Sequence, residues 1–180
     1  MLRVITTYAD LDGPRLMAVY AESNLENTDY FFPEIEDKTL AVRKVEEGFL
    51  TFLREEFFAG PSPAYYVLEE AGDWVSALRL NEVQQGLYYL EALETRPDRR
   101  RQGCAARLLR EVITHLKTKG PFRLCDCVSK GNEPSLRTHL ACGFQIVSEV
   151  GRDYLRNEDD EGDYAFEYRF DSTEASYDES

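Results

Sequence analysis

Histidine and cysteine, the nitrogen and sulfur metal ligands, are scarce in this chain. It has two histidines, His115 and His139, and four cysteines, Cys104, Cys125, Cys127 and Cys142. The cysteine spacings form no C-x-x-C pair and no zinc pattern, so no metal site is expected and the thiols read as free, buried groups in a reducing compartment. No apolar run approaches the roughly 18 residues of a membrane helix, so no membrane partner is expected. The start, MLRVITTYADL, has no basic segment, apolar stretch or cleavage site. No export signal is read there, and a cytoplasmic location is expected. Internal repeats are absent. So are the G-x-x-x-x-G-K-[ST] phosphate loop and the G-x-G-x-x-G dinucleotide fingerprint, which excludes two common nucleotide-binding classes.

What is present suffices for a core: 43% of the 180 residues are apolar and 12% aromatic. Residues 1–170 are expected to form a single domain, with residues 171–180 a polar, acidic tail. The net charge of −13 is unevenly spread, because residues 96–130 hold ten basic and three acidic side chains while the flanking segments are acidic. One basic island in an acidic chain points to a local anion. A nucleic-acid partner, which asks for a basic surface at domain scale, is not expected.

Periodicity predicts a strand over 2–7, a helix from the cap Asp12 to about Asn24, a loop or broken helix around Pro33, and a helix over 38–58. Strands follow at 64–70, 74–80 and 87–95, with turns at 71–73 and 81–86. A helix over 103–119 carries one apolar face of Leu108, Leu109, Val112, Ile113 and Leu116. A strand at 122–128 precedes a short helix capped by Asn132 and ended by Gly143. Strands at 144–154 and 164–170 flank an acidic turn. This order predicts an α/β (α+β) sandwich around a mixed sheet.

The stretch RPDRRRQGCAARLL, residues 96–109, places four arginines within six residues, then Gly103, then a helix start. The first N–H groups of a helix lack internal partners and carry partial positive charge. Glycine lets an anion approach the backbone, and arginine adds charge-assisted hydrogen bonds. Arg100, Arg101, Gln102, Gly103, Cys104 and Ala105 therefore read as a pyrophosphate cradle. A solvated basic helix start remains the plain alternative.

The segment from Leu93 to Ala105 resembles the signature of the GNAT superfamily, the acetyl-CoA-dependent N-acetyltransferases: a strand ending before x-Pro, then R/Q-x-x-G-x-G/A opening a helix, here Arg100-x-x-Gly103-x-Ala105. Asn132, Ser135, His139 and Gly143-Phe144 resemble the family's second feature, an asparagine, a short helix and Gly-Phe opening a strand. The resemblance covers roughly residues 2 to 170. It implies a mostly antiparallel mixed sheet flanked by about four helices, with strands 87–95 and 122–128 splayed to admit acetyl-CoA as co-substrate. It further implies pantetheine pairing with Leu93, Glu94 and Thr95, a backbone N–H near Leu93 polarising the thioester, and cofactor contacts from the cradle residues, Asn132 and Ser135.

Direct transfer of an acetyl group to a primary amine needs a proton acceptor, a polarised thioester and a stabilised thiolate. Strand alternation puts Glu91 on a face with Tyr89, Leu93 and Thr95, and Glu94 on the other. Glu91 is the candidate general base, with anchoring of a cationic substrate as its other reading. Where the family commonly has a tyrosine acid, this chain has His139, a candidate acid or a packing residue. His115 reads as a packing residue. Cys104, at a helix start beside arginines, could be reactive but is left outside the catalytic set. Asp29, Glu34, Glu36 and Asp37 either form an acidic wall for a cationic small-molecule or peptide acceptor or only solubilise the chain. Tyr30, Phe31 and Phe32 line the acceptor pocket or fill the core. A catalytically inactive acyl-CoA-binding sensor or interaction module is the rival function, and either a monomer or a homodimer is compatible with the sequence.

Overall fold

The computed structural model describes residues 1–171; most of the acidic tail assigned to 171–180 lies outside the described residues. In chain order the elements are β1 (Leu2–Ile5), α1 (Gly13–Val19), α2 (Ala21–Glu26), α3 (Thr28–Phe31), α4 (Lys38–Phe52), β2 (Pro63–Glu70), β3 (Asp73–Gln84) and β4 (Leu87–Thr95). They continue with α5 (Cys104–Lys117), β5 (Phe122–Ser129), α6 (Glu133–Ala141), β6 (Gln145–Ser148), β7 (Gly151–Asp153), β8 (Glu158–Asp160) and β9 (Asp163–Phe170). Seven strands form one sheet in the order β1-β2-β3-β4-β5-β9-β6, and β7-β8 form a separate hairpin.

Every pairing in the large sheet is antiparallel except β4 with β5. That parallel pair is brief: Leu87, Tyr88 and Tyr89 face Arg123, Leu124 and Cys125, and pairing ends there. Beyond Tyr89 the two strands part. The backbone edge of β4 from Leu90 to Thr95 that would face β5 thus has no ladder partner. The single parallel pair arises because α5 crosses over between β4 and β5, the connection that parallel strands require.

The helices cover both faces. On one face α5 buries Leu108, Leu109, Val112, Ile113 and Leu116 against Tyr66, Leu78, Leu80, Leu90 and Leu124. Each such side chain contributes roughly 1.5–3 kcal/mol through burial. On the other face Leu16, Val19 and Tyr20 of the first helical region pack with Leu53, Phe57, Tyr65 and Val67.

Several predicted boundaries move. The first helix breaks at Tyr20, whose φ of −91° and ψ of 14° interrupt the α geometry, and helix α3 lies in the predicted loop or broken helix. The first helical region is thus divided into the short segments α1, α2 and α3, and with α4, α5 and α6 they flank the sheet. Helix α4 continues into a π-helical turn, Leu53–Phe57. Strand β3 runs on to Gln84 through the predicted turn, because Asn81 and Glu82 pair with Tyr89 and Tyr88. The strand predicted over 144–154 divides: β6 joins β9 at the sheet edge, while β7 pairs with β8 across the acidic turn.

Candidate active site

The site begins with a bulge. Across β3, Ala77 pairs with Glu94 and Arg79 with Glu91, so Leu78 faces both Ala92 and Leu93. Ala92 takes the extra residue's position with φ of 53°, a left-handed geometry that costs a non-glycine residue roughly 1–2 kcal/mol. Its carbonyl accepts a 2.6 Å hydrogen bond from the Tyr20 hydroxyl, which in turn accepts one of 2.8 Å from Tyr65. Burial raises both phenols above their ordinary value, so both remain protonated donors at neutral pH.

The bulge resets the alternation of β4 and corrects the predicted faces. Leu93 packs with the α5-side core and Ala92 with the opposite core. Glu91 reaches Arg79, whose guanidinium lies over Phe49, Phe52 and Phe57, and Glu94 lines a cavity beside Phe49 and Phe52. Both carboxylates therefore lie on the α4 side of the sheet.

Two cavities meet at Glu94. The first, about 660 Å³, is bounded by α2, the end of β4, the start of α5 and the start of α6. Leu93, Glu94, Thr95, Arg100, Arg101, Gly103, Cys104, Ala105, Asn132 and Ser135 all line it. Of the predicted cofactor-binding residues only Gln102 is missing from the wall; its side-chain amide donates to the Asp98 carbonyl instead. The second cavity, about 530 Å³, lies between α2, α3, α4 and the β7–β8 turn, and shares Ser23 and Glu94 with the first.

The start of α5 fits a diphosphate. Gly103 is its N-cap, at φ of 75°, and no side chain caps the helix. The first amides are thus free to bind an anion. A Cβ on Gly103 would meet no protein atom within 4 Å, because it would project into open space. Glycine is needed there for its backbone conformation as well as for access.

The arginines are less available than their number suggests. Arg96 pairs with Asp98 and Asp73, Arg99 with Glu70, and Arg100 with Glu22 of α2. Arg101, also at positive φ, has no carboxylate partner among the described residues. Part of the basic island therefore neutralises acids brought from elsewhere in the chain, as the plain reading of a charged helix start allowed.

Neither predicted catalytic side chain lines either cavity. Glu91 Oε2 accepts hydrogen bonds of 3.2 Å from Arg79 Nε and from Asn81 Nδ2, and the Arg79–Glu91 pair is largely buried. This correction favours an ionic tie between β3 and β4 over a mobile base. His139 is 1% exposed, among Phe144 and Phe166. Its Nε2 donates to Asp126 Oδ2 at 2.8 Å and its Nδ1 faces the Ser135 carbonyl at 2.8 Å. Both ring nitrogens are engaged, no proton is presented to the cleft, and the acid role predicted for His139 has no geometry behind it. Burial opposes charge on this imidazole, but Asp126 outweighs it and raises the pKa; burial likewise raises that of Asp126. The pair as a whole holds its proton more tightly than the separate groups would.

Glu94 has the opposite situation. Burial raises its pKa, the Ser23 hydroxyl and Arg100 offset part of this, and the neighbouring carboxylates Glu22 and Glu26 add to it. Alternation predicts it on the face opposite Glu91; the bulge, which alternation alone does not reveal, puts it at the junction of the cavities. Asp29 pairs with Lys38 and Asp37 caps α4, so the proposed acidic wall is engaged elsewhere or solvated. Phe31 and Phe32 line the second cavity, whereas Tyr30 is 80% exposed. Cys104 is buried in the α5-side core, and His115 packs edge-on against Tyr66. Asn132 spends its side-chain oxygen on capping α6 at Ser135 N.

The family model described as "Acetyltransferase (GNAT) family" matches residues 23–144. The chain belongs to this family. The GNAT match spans the bulged strand, the cradle and α6 together. No curated protein matches the chain in sequence. Among solved structures, the PaiA N-acetyltransferase of Thermoplasma acidophilum in complex with coenzyme A aligns at 14% identity, TM-score 0.60, over 94% of this chain and 99% of that one. The ribosomal-protein-S18-alanine N-acetyltransferase of Escherichia coli aligns at 19% identity, TM-score 0.58, over 95% of each chain. The ribosomal-protein-alanine N-acetyltransferase of Brucella melitensis aligns at 20% identity, TM-score 0.57, over 94% and 99%. At these identities the likeness is one of fold, and it supports the α/β assignment with a mostly antiparallel sheet.

Proposed function

We propose that this GNAT acetyltransferase moves an acetyl group from acetyl-CoA directly to a primary amine, with Glu94 as general base. The observation that carries this reading is the meeting of two cavities at a partly buried carboxylate. One cavity has the free amides of α5 and the unpaired edge of β4; the other is open to an acceptor. Acetyl-CoA supplies the activated thioester. The α5 amides and Arg101 would hold its diphosphate, and the β4 edge from Leu93 to Thr95 would hold its arm. A backbone N–H beside the Ala92 bulge would face the thioester oxygen and stabilise charge developing there. Glu94 would take the proton lost by the amine nitrogen as the C–N bond forms and the C–S bond breaks. The thiolate would take a proton from water in the open cleft.

Glu94→Gln tests the assignment. Thiol release should fall roughly 100- to 10,000-fold, the usual contribution of a positioned general base, with acetyl-CoA affinity little changed. The inactive acyl-CoA-binding module is favoured by the burial of His139 and the pairing of Glu91. It predicts acetyl-CoA binding with no thiol release for any amine.

A further inference from the structure

The second cavity differs in character from the acidic wall read in the sequence. Its body is aromatic, with Phe31, Phe32, Phe49 and Phe52 on the α3–α4 side. Its charged lining consists of three cations, Lys44, Arg79 and Arg156, against the single carboxylate Glu94. Arg79 is neutralised by Glu91, and Arg156 by Asp153. Lys44 has no carboxylate partner among the described residues, and its ammonium sits 5.9 Å from the centre of the Phe32 ring. A polycation entering here would bring a second ammonium toward the unpaired Lys44 and find no free carboxylate in the lining besides Glu94. An amine without a carboxylate would make no use of the exposed, unpaired ammonium of Lys44.

We propose that the acceptor is a small amphoteric amine, a molecule carrying a primary amine, an apolar or aromatic body and a carboxylate, as an aromatic amino acid does. This rests on the acetyl-transfer reading above and names its substrate class. The amine lies toward Glu94, the apolar body contacts the phenylalanines, and the carboxylate answers Lys44. Selectivity then comes from charge complementarity: Lys44 is exposed, so its attraction for a carboxylate is that of a surface ion pair, about 0.2–1 kcal/mol.

Three amines separate the possibilities: L-phenylalanine, phenethylamine (the same body without the carboxylate) and spermidine. Each is titrated calorimetrically into the full chain saturated with coenzyme A, then tested for thiol release with acetyl-CoA. L-phenylalanine is expected to bind roughly 1.5- to 5-fold more tightly than phenethylamine, and spermidine to bind weakest. Lys44→Gln should abolish the preference for phenylalanine while leaving phenethylamine affinity unchanged. Equal or tighter binding of phenethylamine or spermidine overturns the inference, as does no binding of phenylalanine. Preferential binding of phenylalanine without thiol release would instead count against acetyl transfer while upholding the character of the cavity.

Discussion

Removing the charge of Glu22 has two consequences that follow from one contact. Glu22 pairs with Arg100 across the mouth of the cleft, each side chain 43% exposed. A diphosphate on the α5 start must displace this carboxylate or accept its repulsion. Exposed ion pairs contribute about 0.2–1 kcal/mol. Glu22→Gln should therefore tighten acetyl-CoA by roughly 1.5- to 5-fold, and the gain should shrink as salt rises. Glu22 is also among the charges that raise the pKa of Glu94. A base must be unprotonated to act, so activity rises with pH through the Glu94 pKa. Removing a neighbouring negative charge lowers that pKa and moves the rising limb toward lower pH. Calorimetry with acetyl-CoA at two salt concentrations reads the first effect, and thiol release across pH reads the second. Weaker binding of acetyl-CoA by the variant, or a limb displaced to higher pH, would refute the placement of the diphosphate and of the base.

Gly103→Trp should abolish acetyl-CoA binding while circular dichroism keeps its wild-type shape, since the indole would occupy the open space before α5. Glu91→Gln should act on stability: it leaves the largely buried Arg79 without its carboxylate, a loss of about 3–5 kcal/mol in thermal or denaturant unfolding, with turnover retained in the folded fraction. Leu116→Ala, at a fully buried position, should cost about 2–5 kcal/mol in the same assay. The His139–Asp126 pair gives a pH dependence of stability. Because the folded pKa of His139 is raised, its contribution is fully present below the ordinary histidine value and is lost as pH rises through the raised one. The melting temperature should decline over that interval, and Asp126→Asn should flatten that component of the decline.

The cleft was legible because its signals are local. The Arg100-x-x-Gly103-x-Ala105 run, the apolar face of α5 and the Asn132 cap each depend on neighbours within a few residues; the run and the cap line one cavity, and the apolar face seats α5 on the sheet. The misread parts depend on contacts distant in sequence. The ion pairs of Arg99 and Arg100 reach back to Glu70 and Glu22. The Ala92 bulge is held by Tyr20, 72 residues earlier, and brings onto one face the two β4 carboxylates that strict alternation sets on opposite faces. His139 met its partner Asp126 on another element, and a pattern that marks a helix position says nothing of what faces it. The break between β6 and β7 follows the same logic, because the choice between β9 and β8 as partner is made by the sheet.

The most direct test of the account is calorimetric titration of the full chain with acetyl-CoA, paired with the same titration of Gly103→Trp. Saturable one-to-one binding by the wild type that the tryptophan removes is the expected result. No binding by the wild type, or equal binding by both proteins, would contradict the assignment of the α5 start as the diphosphate site.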